Sequence, residues 1–206
     1  MPWDPTQLLW KLLLAYAAFR AFRPLPPHSN LLPAERDAGL AALPPDSPAR
    51  ILYPETWLSG GAYATLPLGK VKYWIVGPES GKKLKNFQVV LIHGLTSPSI
   101  AFTHIVPILT SANFRVLVYD LYGRGYSDAP RKVTYDSNLY VTQLALLLQH
   151  VRWKRARIVG YSMGGPIAAA FVAAFPSLVD RDVVMIASAG AAEVRIRFFA
   201  GLMSKR

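Results

Sequence analysis

The sequence predicts an α/β domain built on a mostly parallel sheet, with a β-hairpin at its start and helices on both faces. Strand-like and helix-like segments alternate four times along the chain. This alternation is the pattern of parallel sheets with right-handed crossover connections. The central strand-like runs are also continuously apolar, which is typical of strands that are covered on both faces.

The predicted strands are short runs rich in β-branched and aromatic residues. The first two, "AYATL" and "KVKYWIV", are separated by Pro67 and Gly69 and predict an antiparallel hairpin. The runs "FQVVLI", "RVLVYD", "ARIVG" and "DVVMIAS" follow in that order and predict the parallel strands. In a sheet of this kind, ligands bind at the carboxyl ends of the strands.

Three helical segments separate those parallel strands. "AFTHIVPILTSA" comes first, and Pro107 marks an irregularity in it. "SNLYVTQLALLLQHV" predicts a long helix that Ser137 or Asn138 caps. "GGPIAAAFVAAF" comes last, with Pro166 in its first turn, where proline is tolerated.

The start of the chain differs from the rest. Residues 1–30 can form an amphipathic helix, but the apolar run from Leu8 to Phe22 is shorter than the about 20 residues that a spanning helix needs. We predict a membrane-associated or targeting segment: an interfacial helix, a mitochondrial-type presequence or a signal peptide, with a helix packed on the domain as the alternative. Localisation stays open between membrane-associated, mitochondrial and cytoplasmic. Residues 31–56 predict a Pro-rich arm, either a linker or a loosely draped segment, and residues 57–206 the α/β domain.

Composition excludes several classes of function. The 206 residues are 52% hydrophobic, enough for one domain with a core, and the absence of cysteine excludes disulfides and a cysteine nucleophile. The net charge is +11, but the basic residues follow no helix-turn-helix, zinc-finger or RNA-binding pattern, so we predict no nucleic-acid partner. Histidines and carboxylates do not cluster at ligand spacing, so we predict no metal and no cofactor.

Three motifs follow predicted strands directly: "HGLTS" at 93–97, "DLYGRGYSD" at 120–128 and "GYSMGG" at 160–165. The last contains a G-x-S-x-G pattern, which places a serine on a sharp turn between a strand and a helix. Ser162 is therefore the candidate nucleophile. Glycines near it relieve crowding at such a turn: Gly160, Gly164 and Gly165.

The candidate oxyanion hole consists of two main-chain donors. Gly94, in the loop after an earlier strand, allows the backbone to approach the serine closely. The N–H groups of Leu95 and Met163 could together bind a developing negative charge.

These motifs together resemble the α/β-hydrolase superfamily, in its esterase, lipase and C–C hydrolase branch. The resemblance covers residues 57–190 and implies that Ser162 is the nucleophile and that the Leu95 and Met163 backbones form the oxyanion hole. A serine at this position argues against epoxide hydrolases and haloalkane dehalogenases, which carry aspartate there. The resemblance also implies that Asp120 and Asp128 shape the turn after their strand and are not the triad acid.

The triad acid and histidine of this family follow the nucleophile in the chain. No histidine does so here: the four are His28, His93, His104 and His150. We expect His93 to brace the oxyanion loop, and His104 is the nearest rival base. The triad acid is unknown, because Glu193 has no histidine to orient. We expect an incomplete domain that lacks the late strands, ends in the lid region and exposes a sheet edge that could associate with another chain.

The sequence therefore predicts a serine hydrolase that acts on a small-molecule carboxylic ester or related acyl substrate through Ser162, impaired by the missing acid and histidine. The alternative is a non-catalytic fragment of the fold that binds a membrane or a partner. A second polypeptide that supplies the missing strands is a third hypothesis.

Overall fold

A computed structural model of the chain describes residues 35–78 and 88–190. The strands are β1 Arg36–Asp37, β2 Gly61–Leu66, β3 Gly69–Val76, β4 Gln88–Ile92, β5 Arg115–Tyr119, β6 Ala129–Pro130, β7 Ala156–Tyr161 and β8 Val179–Ile186. The α-helices are α1 Pro48–Leu52, α2 Ile105–Ser111, α3 Ser137–His150 and α4 Gly164–Ala174. Short 3-10 helices span Leu40–Ala42, Ser99–Phe102 and Pro176–Leu178.

Six strands form one sheet in the order β2-β3-β5-β4-β7-β8. The hairpin strands β2 and β3 are antiparallel, and β3 also runs antiparallel to β5. The strands β5, β4, β7 and β8 run parallel to one another. The predicted fold class, a mostly parallel sheet that begins with a hairpin, is confirmed.

Helices cover both faces of the sheet. Successive side chains of a strand point to opposite sides, so the apolar central strands need helices on both faces to be buried. In β4, Val89 and Leu91 pack with Phe102 and Val106, at the start of the segment that contains α2. Their neighbours in β4 pack on the other side in a larger core that includes α3 and α4. The continuous apolar runs of the sequence therefore correspond to strands buried on both faces.

Two helix predictions need correction. The segment predicted as one helix from Ala101 is divided into a 3-10 helix that ends at Phe102 and α2, which starts at Ile105. Pro107 lies in the first turn of α2, where its missing N–H is not required. The N-cap of α3 is Asp136, not Ser137 or Asn138, since its Oδ1 accepts a hydrogen bond from the Leu139 N–H at 3.0 Å. Pro166 lies in the first turn of α4, as predicted.

The segment before β2 is attached to the domain more firmly than a loosely draped arm. Its first described strand, β1, pairs with β6. Further along, Tyr53 is only 4% exposed, and its hydroxyl donates a hydrogen bond of 2.9 Å to Asp120 Oδ1 after β5. The predicted amphipathic segment at residues 1–30 lies outside the described residues. Within the described ranges, no helix has both the length and the apolar character to cross a membrane.

The strand β8 forms one edge of the described sheet. Among the described strands only β7 pairs with it. Its apolar side chains are incompletely covered, and Val184 is 45% exposed. An open, partly apolar edge of this kind is a site at which another strand can add.

Candidate functional site

Ser162 lies on the turn between β7 and α4 in a left-handed backbone conformation, with φ at +52°. A non-glycine residue adopts this conformation only where its surroundings hold it there. Its N–H donates to the Ile186 carbonyl at 2.9 Å, and its own carbonyl accepts from the N–H groups of Gly165 and Ala189 at 3.0 and 3.1 Å. The turn is therefore fixed by α4 on one side, and by β8 and the loop after β8 on the other.

Glycines surround this turn because no side chain would fit. A Cβ on Gly160 would collide with the main chain of Gly164, and a Cβ on Gly164 would collide with the Ile92 carbonyl oxygen at the end of β4. A Cβ on Gly165 would collide with Ser188. The helix α4 can therefore begin directly against the ends of β4 and β8, as the crowding argument from the sequence requires.

The loop after β4 lies against the serine. A Cβ built on Gly94 would be 3.1 Å from Ser162 Cβ and 3.5 Å from Ser162 Oγ. The motifs "HGLTS" and "GYSMGG", which are far apart in the sequence, are thus brought together at the carboxyl edge of the sheet. A side chain larger than hydrogen at position 94 would occupy the space beside the hydroxyl.

His93 connects the loop after β4 to the loop after β5 and is fully buried. The N–H of Leu121 donates to His93 Nε2 at 2.9 Å, so this nitrogen is unprotonated. Nδ1 therefore carries the proton and donates a hydrogen bond of 2.7 Å to the Gly94 carbonyl. Burial lowers the pKa of His93, which outweighs the opposing effect of the Asp120 carboxylate. A neutral imidazole with both nitrogens engaged is a structural brace and not a free base.

The geometry of the Gly94–Leu95 peptide follows from this brace. In a trans peptide the carbonyl and the next N–H point in opposite directions. Because the Gly94 carbonyl faces His93, the Leu95 N–H points away from the imidazole ring. The Leu95 carbonyl is held separately, since it accepts a hydrogen bond of 2.9 Å from Arg124 Nε. Neither the Leu95 nor the Met163 N–H donates to a main-chain acceptor in the part of the chain that the structure describes.

Asp120 and Asp128, at the two ends of the motif after β5, are both engaged by partners from several segments of the chain. Asp120 is fully buried and accepts hydrogen bonds from the Ser99 N–H at 3.1 Å and the Tyr126 N–H at 2.8 Å, besides the one from Tyr53. Burial and the Asp120 carboxylate both raise the pKa of Tyr53, so its hydroxyl stays protonated. Asp128 accepts from the Lys70 N–H at 2.8 Å and pairs with Arg36 at 2.9 Å. These contacts fit the turn-shaping role that the resemblance implied.

The remaining histidines and acids lie elsewhere. His104 is exposed at the start of α2, and His150 is exposed at the end of α3, with Nε2 3.4 Å from the Tyr73 hydroxyl. His28 and Glu193 lie outside the described residues. Within residues 35–78 and 88–190, no imidazole or carboxylate forms a hydrogen bond with Ser162 Oγ. The same ranges contain no group of three His, Cys, Asp or Glu residues that could hold a metal.

Several residues of the site escaped the sequence analysis. Ile186 and Ala189 hold the serine turn through main-chain groups, which carry no sequence signature. Arg124 fixes the loop after β4 through its side chain. Its position in "DLYGRGYSD", at the carboxyl end of a strand, was the signal that could have identified it.

The sheet order, the strained serine turn and the neighbouring glycine loop define the class of fold. The family model described as alpha/beta hydrolase fold matches residues 88–199. The chain belongs to this family.

Individual relatives extend beyond the chain. A serine hydrolase-like protein of Danio rerio is 31% identical over 121 residues, which are 58% of this chain and 35% of that protein. Among solved structures, a variant of the meta-cleavage product hydrolase CumD is 28% identical with a TM-score of 0.53, covering 61% of this chain and 44% of that one. MGS-M2, an alpha/beta hydrolase enzyme from a deep-sea metagenome library, is 27% identical with a TM-score of 0.54, at 60% and 43% coverage. The chain thus spans less than half the length of each of these proteins.

Proposed function

We propose that the chain is a serine hydrolase that cleaves a small carboxylic ester or a related acyl bond, with Ser162 as the nucleophile. The single observation that carries this proposal is the left-handed Ser162 on the β7–α4 turn, with Gly94 directly beside its hydroxyl. A strained turn of this kind persists only where surrounding contacts maintain it, and such turns concentrate at active sites. The name of the Danio rerio relative, serine hydrolase-like protein, agrees with the same class of activity.

In the proposed reaction, Ser162 Oγ attacks the carbonyl carbon of the ester and its proton passes to a base. The N–H groups of Leu95 and Met163 stabilise the negative charge that develops on the carbonyl oxygen. The C–O bond to the alcohol then breaks as its oxygen takes up the proton from the base, which releases the alcohol and leaves an acyl group on Ser162. Water attacks this acyl-enzyme and releases the carboxylic acid, which regenerates the serine.

The lack of a base beside Ser162 among the described residues limits the rate of this reaction. None of the described residues stands in hydrogen-bond contact with Ser162 Oγ to accept its proton. Loss of one triad member lowers the rate by orders of magnitude, while the oxyanion hole and substrate binding retain some rate over water. We therefore expect slow acylation of Ser162.

A fluorophosphonate probe, which reacts with activated serines, tests the proposal. Labelling should occur on the full chain, at a rate well below that of a complete triad enzyme, and should disappear in Ser162→Ala. Ser177→Ala is the matched control, because Ser177 is exposed and lies away from the turn in a 3-10 helix. Equal labelling of the Ser162→Ala and Ser177→Ala proteins, or no labelling of the parent chain, would contradict a nucleophilic Ser162.

The second candidate is a non-catalytic protein of this fold that binds an anionic membrane. It is favoured by the absence of a described base at Ser162 and by the net charge of +11, which attracts anionic surfaces. Flotation with anionic liposomes tests it on the full chain and on a chain without residues 1–30. The candidate predicts that only the full chain floats, whereas equal flotation of both chains would rule out a role for residues 1–30.

A further inference from the structure

A cavity of about 660 Å³ lies between the segment that precedes β2 and the strand β3. Its volume is in the range of small-molecule sites. Ser162 and Gly94 are not among its lining residues, so it is separate from the candidate active site. The wall combines charged, aromatic and apolar groups: Arg50, Glu55, Leu58, Gly61, Lys72 and Tyr126.

The most unusual group in this wall is Lys72, a lysine that is only 4% exposed. Its Nζ donates to Glu55 Oε1 at 2.7 Å and lies 4.4 Å from the centre of the Tyr63 ring. A buried ammonium is costly unless several groups compensate its charge. These contacts hold the charge of Lys72 at the surface of the cavity.

A second donor lies next to this ammonium. Trp74 is fully buried, and among the described residues its Nε1 has no hydrogen-bond partner. A Cβ built on Gly61 would be 2.7 Å from Trp74 Nε1 and 3.2 Å from Lys72 Nζ. Gly61 and Lys72 line the cavity, whereas the Trp74 indole lies behind them in the buried core.

The charges of the cavity favour a ligand with one negative charge. Burial opposes ionisation of Glu55, but hydrogen bonds from Lys72 and Tyr63 outweigh it and lower the pKa of this carboxyl. With Glu55 ionised, the Arg50, Lys72 and Glu55 side chains sum to a single positive charge. A dianion such as phosphate would meet the Glu55 carboxylate as a repulsive neighbour, so a monoanion fits better.

We propose that this cavity binds a small organic carboxylate. Arg50 and Lys72, which both line the cavity, bind the carboxylate oxygens. The guanidinium of Arg50 suits a planar carboxylate because its N–H groups lie in one plane. The apolar part of the ligand packs on Leu58 and on the prolines of the wall, Pro45 and Pro54.

The Trp74 indole reports binding through its neighbour Lys72, whose Nζ lies 5.3 Å from the centre of the Trp74 ring. The chain has five tryptophans, so its indole N–H resonances are few, and Trp74→Phe assigns the relevant one. Titration of the full chain with hexanoate should shift the Trp74 resonance in a saturable manner. Hexanol, which has the same chain length and no charge, should bind at least tenfold more weakly, and so should inorganic phosphate. No saturable shift with hexanoate, equal binding of hexanol, or tighter binding of phosphate would overturn the proposal.

Variants separate the role of charge from that of folding. Arg50→Gln should weaken hexanoate binding about tenfold, because a hydrogen bond to a charged group is lost. Arg50→Lys keeps the charge and should recover part of the affinity, which a variant that merely misfolds would not do. Lys154→Gln removes an exposed positive charge away from the cavity and should bind as the parent chain does. Equal affinity of Arg50→Gln and the parent would remove Arg50 from the site.

Discussion

The main-chain N–H of Ser162 donates a hydrogen bond of 2.9 Å to the carbonyl oxygen of Ile186, the last residue of β8. This bond extends the pairing of β7 and β8 by one residue into the turn that carries the serine. The left-handed conformation of Ser162 is therefore maintained by a neighbouring strand as well as by its own helix. Ser162 therefore keeps its strained conformation only while β8 stays paired with β7.

Replacing Ser162 with glycine should stabilise the protein. A left-handed conformation costs a residue with a side chain about 1–2 kcal/mol, and glycine avoids that cost while losing more backbone entropy on folding. We expect Ser162→Gly to raise the free energy of unfolding by about 0.5–1 kcal/mol, measured by urea denaturation. Ser162→Ala, which retains a Cβ, should leave it nearly unchanged. A destabilised glycine variant would show that the serine hydroxyl stabilises the turn.

Gly164→Ala should destabilise the fold strongly, because the new Cβ would collide with the Ile92 carbonyl at the end of β4. Overpacking against rigid backbone predicts a loss of about 2–3 kcal/mol in the free energy of unfolding. Gly190→Ala is the matched control: its φ is +72°, but no atom of the described residues lies within 4 Å of the added Cβ. That variant should lose only about 1 kcal/mol. A loss at Gly164 no larger than that at Gly190 would mean that the contact with β4 does not determine the requirement for glycine at position 164.

The buried His93 predicts a dependence of stability on pH. Because burial lowers the pKa of His93 in the folded chain below its ordinary value of 6.5, the unfolded chain binds the proton more readily. Stability should therefore be fully present above pH 7 and fall as the pH drops below 6.5, with a slope of at most about 1.4 kcal/mol per pH unit. His93→Gln should be less stable throughout, but its stability should depend less on pH between 7.5 and 5.5.

Chemical denaturation at a series of pH values provides the two slopes for the His93 comparison. The carboxylates and the exposed histidines titrate in both proteins, so the difference between slopes isolates His93. Identical slopes would mean that His93 has the same pKa in the folded and unfolded chains, which would contradict its burial as a neutral imidazole.

The open β8 edge predicts self-association at high concentration. Val184→Lys places a charge on this partly exposed strand and should lower the weight-average mass measured by sedimentation equilibrium. Ile108→Lys adds the same charge at an exposed apolar residue of α2, 67% exposed, and should have no such effect. A parent chain that stays monomeric at millimolar concentration, or an equal effect of the two lysines, would contradict association through β8.

The strands and the position of Ser162 could be predicted because their signals are local. An apolar run such as "FQVVLI" identifies a strand wherever it lies, and the glycines around Ser162 follow from crowding at a single turn. The N-cap of α3 could not be assigned in the same way. Asp136, Ser137 and Asn138 all cap helices well, and the choice depends on where the first turn begins.

Contacts that join distant segments could not be predicted. Tyr53 and Asp120 are 67 residues apart, and the hydrogen bond between them places part of the Pro-rich segment in the core. Prolines indicate where regular structure stops, but they do not indicate whether the chain beside them packs on a domain. The division of the predicted helix around His104 likewise depends on packing of Phe102 and Val106 against the sheet.

The contacts that hold Ser162 also determine when, during synthesis of the chain, its turn can form. The turn requires β4, where Ile92 limits the approach of Gly164, and it requires Ile186 and Ala189, which are made more than twenty residues after the serine. During synthesis on the ribosome, a nascent chain that stops short of Ala189 lacks these hydrogen-bond partners. The serine therefore acquires its conformation only after β8 has been translated, so the growing polypeptide gains the proposed nucleophile late in its synthesis.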